Sequence, residues 1–310
     1  MYANPMTLAT PKNNHPQISY HSAWQTGFSF ATCGELIQGI VNDEYFLVNC
    51  PINYSSHVQV RPNITSEITV ITPGDYQRLV SALELYLKHI NQPNMGLDVT
   101  IYSHVPRSKG MASSTSELTA ALCACAKALQ ETVTADLISH ILTRIEPSDG
   151  TCYPGIVRYN QLTGHVYEYL GEPPSLCCLI VDTGGQLDTQ QYDRQRAQAI
   201  HRHYEPQIQQ ALRLLRQGFS QQSAALIAKA ATISAQCNQQ IRYQAMFEPL
   251  LAEAQSLGAL GVNCAHTGTI LGILYDPNQT HQDTLQHRIS SAMGPQNVLG
   301  SYTIIPGGLL

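Results

Sequence analysis

The chain has 310 residues, which is enough for one large domain or two domains of ordinary size. Its net charge is −5, and 13% of its residues are charged against 43% that are hydrophobic, a globular rather than a disordered composition. No cluster of Lys and Arg forms the basic patch of a nucleic-acid-binding protein, so we expect no nucleic-acid partner. The basic residues between positions 194 and 216 alternate with apolar ones at helical spacing and predict a solvated helix face.

The N-terminal 25 residues contain no apolar stretch of the signal-peptide type, and no run of 18 apolar residues occurs anywhere. We therefore predict a loose leader over residues 1–25, a cytoplasmic location and no membrane partner. Nine cysteines are present without a Cys-x-x-Cys pair or a Cys/His zinc spacing. They are interpreted as small core residues in a reducing compartment.

The first half of the chain mixes short strands with helices. Residues 75–90 predict a helix, because apolar residues at Leu79, Leu83 and Leu87 recur on one face. A second helix is predicted behind position 112 and a third over 134–145. The predicted strands cover 28–32, 45–49, 55–61, 97–105, 156–159 and 165–170.

The second half follows a plausible boundary at residues 171–174, where two prolines interrupt either kind of element. Helices are predicted over 197–216, 220–237, 244–257 and 282–293, and strands over 176–182, 262–264, 269–275 and 298–305. Strands and helices do not alternate steadily, which favours an α+β fold over a doubly wound one. We expect two units after the leader, 26–172 and 173–310.

The segment 106–130 is the most informative one chemically. Pro106 leads into a tight loop that ends at Gly110, Ser113 and Ser114 stand at a helix start, and Ser114-x-x-Glu117 has the spacing of a capping box. A helix N-terminus offers unpaired N–H groups and partial positive charge to a phosphate, and serine hydroxyls can bind phosphate or Mg²⁺. The alternative is a capped helix after a turn, with no ligand. The common nucleotide-binding motifs are absent from the sequence.

The run from Pro106 to Ser114 resembles the second signature of the GHMP kinases, whose loop wraps the phosphates of ATP. Four stretches in order, TCGELIQG (32–39), KGMASST (109–115), IEPSDGT (145–151) and GVNCAHTGT (261–269), resemble the L-threonine kinases that serve cobalamin synthesis. The resemblance implies a GHMP kinase fold with an N-terminal ribosomal-protein-S5-like domain and a C-terminal ferredoxin-like domain. It also implies an ATP site formed by Pro106, Lys109, Gly110, Met111, Ala112, Ser113, Ser114 and Thr115.

The resemblance extends to the acidic residues after the third predicted helix. It makes Ser114 and Glu146 candidate Mg²⁺ ligands, and Asp149 the candidate catalytic carboxylate that takes the proton of the attacking hydroxyl. Ser114, Glu146 and Asp149 thus form the predicted catalytic set. The alternative is a surface turn, because Pro147-Ser148-Asp149-Gly150 is also good turn chemistry.

Two further motifs are candidate substrate contacts by the same resemblance. Gly34 and Glu35 stand where the first family signature shapes the substrate site, but the usual Gly-Glu-His ending is missing, so sugars and mevalonate are less expected. His266 and Thr267 match a third signature that is normally richer in glycine. The pair His201-x-His203 does not predict a metal site, since residues two apart do not share a helix face.

The sequence therefore predicts an ATP- and Mg²⁺-dependent kinase that phosphorylates the hydroxyl of L-threonine. Three alternatives stay open: a kinase for another amino alcohol such as homoserine, a GHMP-fold sensor that binds ligand without phosphorylating it, and an unrelated α+β enzyme whose loop only caps a helix. The oligomeric state cannot be read from the sequence.

Overall fold

The computed structural model describes residues 23–185 and 193–310, so most of the predicted leader lies outside the described residues. The predicted α+β class is confirmed. The strands are β1 (Gln25–Val41), β2 (Glu44–Pro62), β3 (Ile68–Val70), β4 (Leu97–Tyr102), β5 (Ile156–Tyr159), β6 (Val166–Gly171), β7 (Cys177–Asp182), β8 (Gly261–Cys264), β9 (Ile270–Tyr275) and β10 (Val298–Thr303). The helices are α1 (Gln77–His89), α2 (Ser113–Ala128), α3 (Ala135–Thr143), α4 (Arg194–His203), α5 (Glu205–Ser220), α6 (Ala224–Asn238), α7 (Phe247–Ser256) and α8 (Gln282–Met293).

One mixed sheet runs through the described chain in the order β10-β7-β9-β8-β1-β2-β4-β3, and the β5–β6 pair joins it at β2. Strands β1 and β2 have 17 and 19 residues and are far longer than the short pieces predicted from the sequence. Beyond Ala31 every residue of β1 is buried, because α2 and the pair α5 and α6 all pack against it. A strand covered on both faces loses the alternation by which a half-buried strand is recognised.

The central strand β1 also joins the two halves of the chain. Its residue Glu35 pairs with Cys264 of β8, and bulges interrupt its register with β2 between Phe30 and Ile37. Near the C-terminus, Ile304 bridges back to Ile52 of β2. The division of the chain at residue 173 stays a prediction, and the sheet runs across it.

The predicted helix 197–216 is wrong as a single element. The structure has α4 and α5 there, separated at Tyr204, which is the C-cap of α4 and the N-cap of α5. Pro206 occupies the first turn of α5, where its missing N–H costs nothing. The break gives α4 its own direction, and its inner face turns towards the cleft described below.

The prediction that the cysteines are core residues is confirmed. All nine are buried and none forms a disulfide, and each of them lies within the described residues. No helix in the described part of the chain combines the length and apolar character needed to span a membrane.

Candidate active site

A cleft of about 750 Å³ lies over the start of α2. Its α1 side is formed by residues 75–79 and by Arg107, and its α4 side by Tyr45, Arg194, His201 and His266. Between the two sides lie most of the residues that the sequence singled out: Glu35, Gly110, Met111, Ala112, Ser113, Ser114, Thr115, Glu146, Asp149 and Thr267.

The turn into α2 differs from the predicted capping box. The cap is Ala112 in the left-handed conformation (φ 54°), and within the described residues no side chain caps the helix. Glu117 instead forms an ion pair with Arg107 at 2.8 Å. Ser114 lies inside the helix as its second residue, so the predicted reciprocal cap is wrong. The first N–H groups of α2 consequently face the cleft without a serine cap, as an anion site requires.

The two predicted Mg²⁺ ligands lie side by side. Ser114 Oγ donates a hydrogen bond to Glu146 Oε1, and Arg78 Nη1 pairs with Glu146 Oε2 at 2.6 Å. A hydroxyl and a carboxylate are hard oxygen donors of the kind Mg²⁺ prefers. Residues 23–185 and 193–310 contain no cluster of three or more His, Cys, Asp and Glu side chains fit for a metal. A pair of donors therefore fits a Mg²⁺ ion that takes its other ligands from nucleotide phosphates and water.

Asp149 lies in the irregular segment after α3 and is held by two side chains, one of them from Thr115, the residue after Ser114 in α2. Its Oδ2 accepts a hydrogen bond from Thr115 Oγ1 at 3.1 Å, and its Oδ1 accepts one from Asn49 Nδ2 at 2.7 Å. Asn49 Oδ1 in turn accepts from the backbone N–H of Gly150 at 2.9 Å. Burial raises the pKa of Asp149 to about 6, although the hydrogen bonds from Thr115 and Asn49 lower it; the negative charge of Glu146 adds to the rise. Such a carboxylate is ionised at neutral pH and basic enough to accept a proton.

Sequence reasoning missed Asn49. The signal was available, because Asn49 is the one polar side chain within the apolar stretch 46–50 of a strand. A buried amide in such a stretch needs partners, and here its partners are Asp149 and Gly150.

Glu35 is buried at the bulge where β1 meets β8. Its Oε2 accepts a hydrogen bond from the backbone N–H of His266 at 2.5 Å. Burial raises the pKa of Glu35 well above its ordinary value, and the charge of Asp149 adds to the rise. Gly34 (φ 54°) makes the bulge possible, because a Cβ there would lie 2.6 Å from the carbonyl oxygen of Cys264. Gly34 thus lies beneath the cleft rather than in its lining.

His266 is held by side chains on both ring nitrogens. Nδ1 lies 2.6 Å from Gln38 Oε1, which can only accept, so Nδ1 carries the proton. Nε2 then accepts a hydrogen bond from the Tyr45 hydroxyl at 2.9 Å. The oxygen of that hydroxyl accepts a hydrogen bond from Gln161 Nε2 at 2.6 Å. Burial is the main cause that lowers the pKa of His266 to about 3, so His266 is neutral at pH 7.

The second histidine on this side, His201 of α4, is also neutral at pH 7. Its ring stacks on that of His266 with centroids 6.4 Å apart, and burial lowers its pKa to about 4. The α4 side therefore obtains no positive charge from its histidines.

Three arginines line the cleft, and two of them have acidic partners. Arg78 pairs with Glu146 and Arg107 with Glu117. Arg194 makes no ion pair with any residue that the structure describes. Arg194 is exposed, as the sequence interpretation of this stretch as a solvated helix face predicts, and it also lines the cleft. The spacing held the signal: Arg194, Ala197, Gln198 and His201 follow i, i+3, i+4 and i+7 and share one helix face.

Two of the predicted ATP-binding residues, Pro106 and Lys109, lie outside the lining of the cleft. Lys109 Nζ pairs with Asp182 at 2.7 Å and donates to the carbonyl oxygen of Gly185 at 2.9 Å. The carbonyl oxygen of Lys109 accepts from the N–H of Thr269 at 2.9 Å. Lys109 therefore connects the loop before α2 to the segment that follows His266.

Comparison with known proteins agrees with this geometry. Residues 77–153, which include α1, α2 and the acidic segment, match the family model described as GHMP kinases N terminal domain. The chain is 28% identical over 249 residues to an L-threonine kinase of Salmonella typhimurium, covering 79% of this chain and 81% of that protein. It is 27% identical over 266 residues to an L-threonine kinase of Citrobacter freundii, covering 83% and 88%.

Solved structures of low sequence identity share the fold. A homoserine kinase from Cytophaga hutchinsonii superposes with a TM-score of 0.70 at 15% identity, covering 95% of this chain and 98% of the other. A mevalonate kinase of L. major in complex with R-mevalonate superposes with a TM-score of 0.67 at 18% identity, covering 95% and 99%. The predicted GHMP kinase fold is confirmed.

Proposed function

We propose that this chain is a kinase of the GHMP type, which transfers the γ-phosphoryl group of ATP to the hydroxyl of L-threonine and gives O-phospho-L-threonine and ADP. The support for a kinase is the family match around α2 and the acidic segment. The support for threonine is the similarity of most of the chain to two L-threonine kinases. The product would enter the aminopropanol arm of cobalamin synthesis, and the reaction would take place in the cytoplasm.

The observation that carries the substrate class is the pair of charged side chains, Glu35 and Arg194, that line the cleft. Glu35 is a buried carboxyl that accepts a hydrogen bond from a backbone N–H, and no Lys or Arg among the described residues pairs with it. Among the described residues no carboxylate forms an ion pair with Arg194, which lines the cleft. An amino acid offers the complement of both, an ammonium group for Glu35 and a carboxylate for Arg194. His201 and His266 line the same cleft and are neutral at pH 7, so they add no positive charge to it.

The residues of the cleft then take separate roles in the reaction. The N-terminus of α2 and the loop before it bind the phosphates of ATP. Ser114 and Glu146 would hold Mg²⁺, which neutralises phosphate charge when it is bound. Asp149 accepts the proton of the threonine hydroxyl as its oxygen forms a bond to the γ-phosphorus and the bond from that phosphorus to ADP breaks. Thr115 and Asn49 keep the Asp149 carboxylate oriented.

The proposal is tested by ADP release from the purified protein with Mg-ATP and, in turn, L-threonine, L-serine, L-homoserine and mevalonate. We expect turnover with L-threonine that falls by about 10²-fold or more in Asp149→Ala and Ser114→Ala. Arg288→Gln, which alters a surface pair with Glu253, serves as the matched control and keeps its activity. Preferred turnover of L-homoserine would contradict the assignment of threonine, and ATP binding without turnover of any substrate would favour the sensor alternative.

A further inference from the structure

Both oxygens of the Glu146 carboxylate are occupied in this structure. Ser114 Oγ donates to Oε1, and the guanidinium of Arg78 pairs with Oε2 at 2.6 Å. Glu146 is also the proposed ligand of Mg²⁺. A divalent cation and a guanidinium cannot use the same carboxylate oxygen at full strength, because each repels the other. A metal that binds Glu146 together with ATP therefore weakens the pairing of Arg78 with the same carboxylate, because two cations on one carboxylate repel each other.

Arg78 is well placed to move. It is the second residue of α1 and half of its side chain is exposed (56%), whereas the Glu146 side chain is 16% exposed. It lines the same cleft as Ser113 and Ser114 at the start of α2. A guanidinium released there faces the region where the proposed function places the triphosphate, and the forked donors of arginine match phosphate oxygens.

We propose that Arg78 is a phosphate-binding residue that is held by Glu146 until the nucleotide arrives. In the nucleotide-free protein the guanidinium neutralises Glu146; when Mg-ATP binds, Arg78 exchanges the carboxylate for a phosphate oxygen of ATP. The inference rests on the proposed kinase function and adds a residue to it that the family signatures quoted above do not contain. The role is exchange of one anionic partner for another, with no change in covalent bonds.

The exchange predicts that the two side chains are coupled in ATP binding. The measurement is ATP affinity by calorimetry in EDTA, where no metal contributes, for the wild type, Arg78→Gln, Glu146→Gln and the double variant. With Glu146 present, Arg78 is held back, so Arg78→Gln weakens ATP binding by less than about threefold. With Glu146→Gln, Arg78 is released to the phosphates, so adding Arg78→Gln weakens binding by about tenfold.

Further variants separate charge from geometry. Arg78→Lys in the Glu146→Gln background keeps the charge but not the forked donors, and we expect an intermediate affinity. Arg288→Gln is the control, because Arg288 has the same exposure (56%) and also pairs with a glutamate, at 3.2 Å. Each variant is first checked for an unchanged melting temperature.

Two results would overturn the inference in distinguishable ways. Equal effects of Arg78→Gln in the presence and absence of the Glu146 carboxylate would show that Arg78 does not pass from one partner to the other, while leaving the kinase function standing. A folded wild type that binds ATP neither in EDTA nor with Mg²⁺ would remove the proposed function and this inference together.

Discussion

The hydroxyl of Thr115 lies 3.1 Å from a carboxylate oxygen of Asp149, and the backbone N–H of Asp149 donates back to the same hydroxyl at 3.2 Å. This reciprocal contact fixes the acidic segment to the first turn of α2. The helix start that we propose as the phosphate site and the carboxylate that we propose as the proton acceptor are thus joined by a direct contact. In a reaction that depends mainly on positioning, such a contact controls the rate without touching either substrate.

Replacing Thr115 by valine should shift the pH dependence of the reaction. The hydrogen bond from Thr115 lowers the pKa of Asp149, which is about 6, so its loss raises that pKa further. Asp149 must be ionised to accept a proton, and kcat/KM for threonine therefore falls below the pKa. We expect the acid limb of the profile to move to higher pH by up to about one unit in Thr115→Val.

Thr119→Val is the matched control for that experiment. Thr119 lies one turn further along α2, is equally buried, and its hydroxyl has no hydrogen-bond partner among the described residues. An acid limb that moves equally in both variants would show that the effect comes from helix packing and not from the contact with Asp149.

Asp149→Asn should stabilise the protein more at high pH than at low pH. A carboxyl whose pKa rises from 3.8 to about 6 on folding holds its proton more tightly in the folded state. Ionisation therefore costs stability as the pH rises from about 4 to 6, and the cost is fully present above 6. Comparing pH 4.5 with pH 8, we expect the free energy of unfolding to shift in favour of the variant by about 2 kcal/mol.

Urea titrations of both proteins at the two pH values measure this difference. The comparison across pH removes the constant effect of exchanging a carboxylate oxygen for an amide beside Asn49. A difference between variant and wild type that does not depend on pH would contradict a raised pKa at this position.

The structure brings the residues predicted for the centre of the candidate site into one cleft, whereas residues at its edges were missed. Ser114, Glu146 and Asp149 were found because they belong to short contiguous motifs, and the fold brings these motifs into one cleft. Asn49 and Arg194 were missed because each reaches the cleft from a strand or helix with no motif of its own. Only the pairing of β2 with its neighbours and the break before Pro206 place them there.

Local patterns also failed where a tertiary partner competes with the local one. The Ser114-x-x-Glu117 spacing is that of a capping box. In the structure, however, Glu117 forms an ion pair with Arg107, and the hydroxyl of Ser114 donates a hydrogen bond to Glu146. The long strands β1 and β2 were predicted as fragments for a related reason. Their bulges, and the helices that pack against both faces of β1, arise only in the assembled sheet. A short segment of the sequence does not predict them.

Gly268→Ala should weaken ATP binding although Gly268 is not expected to touch ATP. A Cβ at this position would lie 2.2 Å from the carbonyl oxygen of Lys109 and 2.4 Å from the Cα of Gly110. The added methyl group must push the loop before α2 out of place. We expect ATP affinity to fall by about tenfold or more, since small displacements of positioned groups are costly, with a melting temperature lower by several degrees.

Gly258→Asn provides the comparison for the glycine variant. Gly258 is exposed after α7, its φ of 83° suits asparagine, and the nearest atom to an added Cβ is 3.7 Å away. ATP affinity that is unchanged in Gly268→Ala would show that the segment after His266 does not support the phosphate loop.

Arg194→Gln should impair recognition of the substrate carboxylate and little else. Within the described residues Arg194 is the arginine of the cleft that lacks an acidic partner, so its guanidinium is available for the carboxylate of threonine. Loss of a charge-assisted hydrogen bond costs about 1.5–3 kcal/mol, which corresponds to a rise in KM for L-threonine of about 10- to 100-fold. KM for ATP should stay within about twofold, because the residue lies on the α4 side.

L-threoninol, which keeps the ammonium and hydroxyl groups but has no carboxylate, makes the test specific. The KM of the wild type for L-threoninol should be close to the KM of Arg194→Gln for L-threonine. The KM for L-threoninol should be the same in the wild type and in Arg194→Gln, since L-threoninol has no carboxylate for Arg194 to contact. Arg196→Gln is the control on the same helix, two residues away and therefore on a different face. If Arg194→Gln weakened threonine and threoninol equally, Arg194 would act on the shape of the cleft and not on the carboxylate.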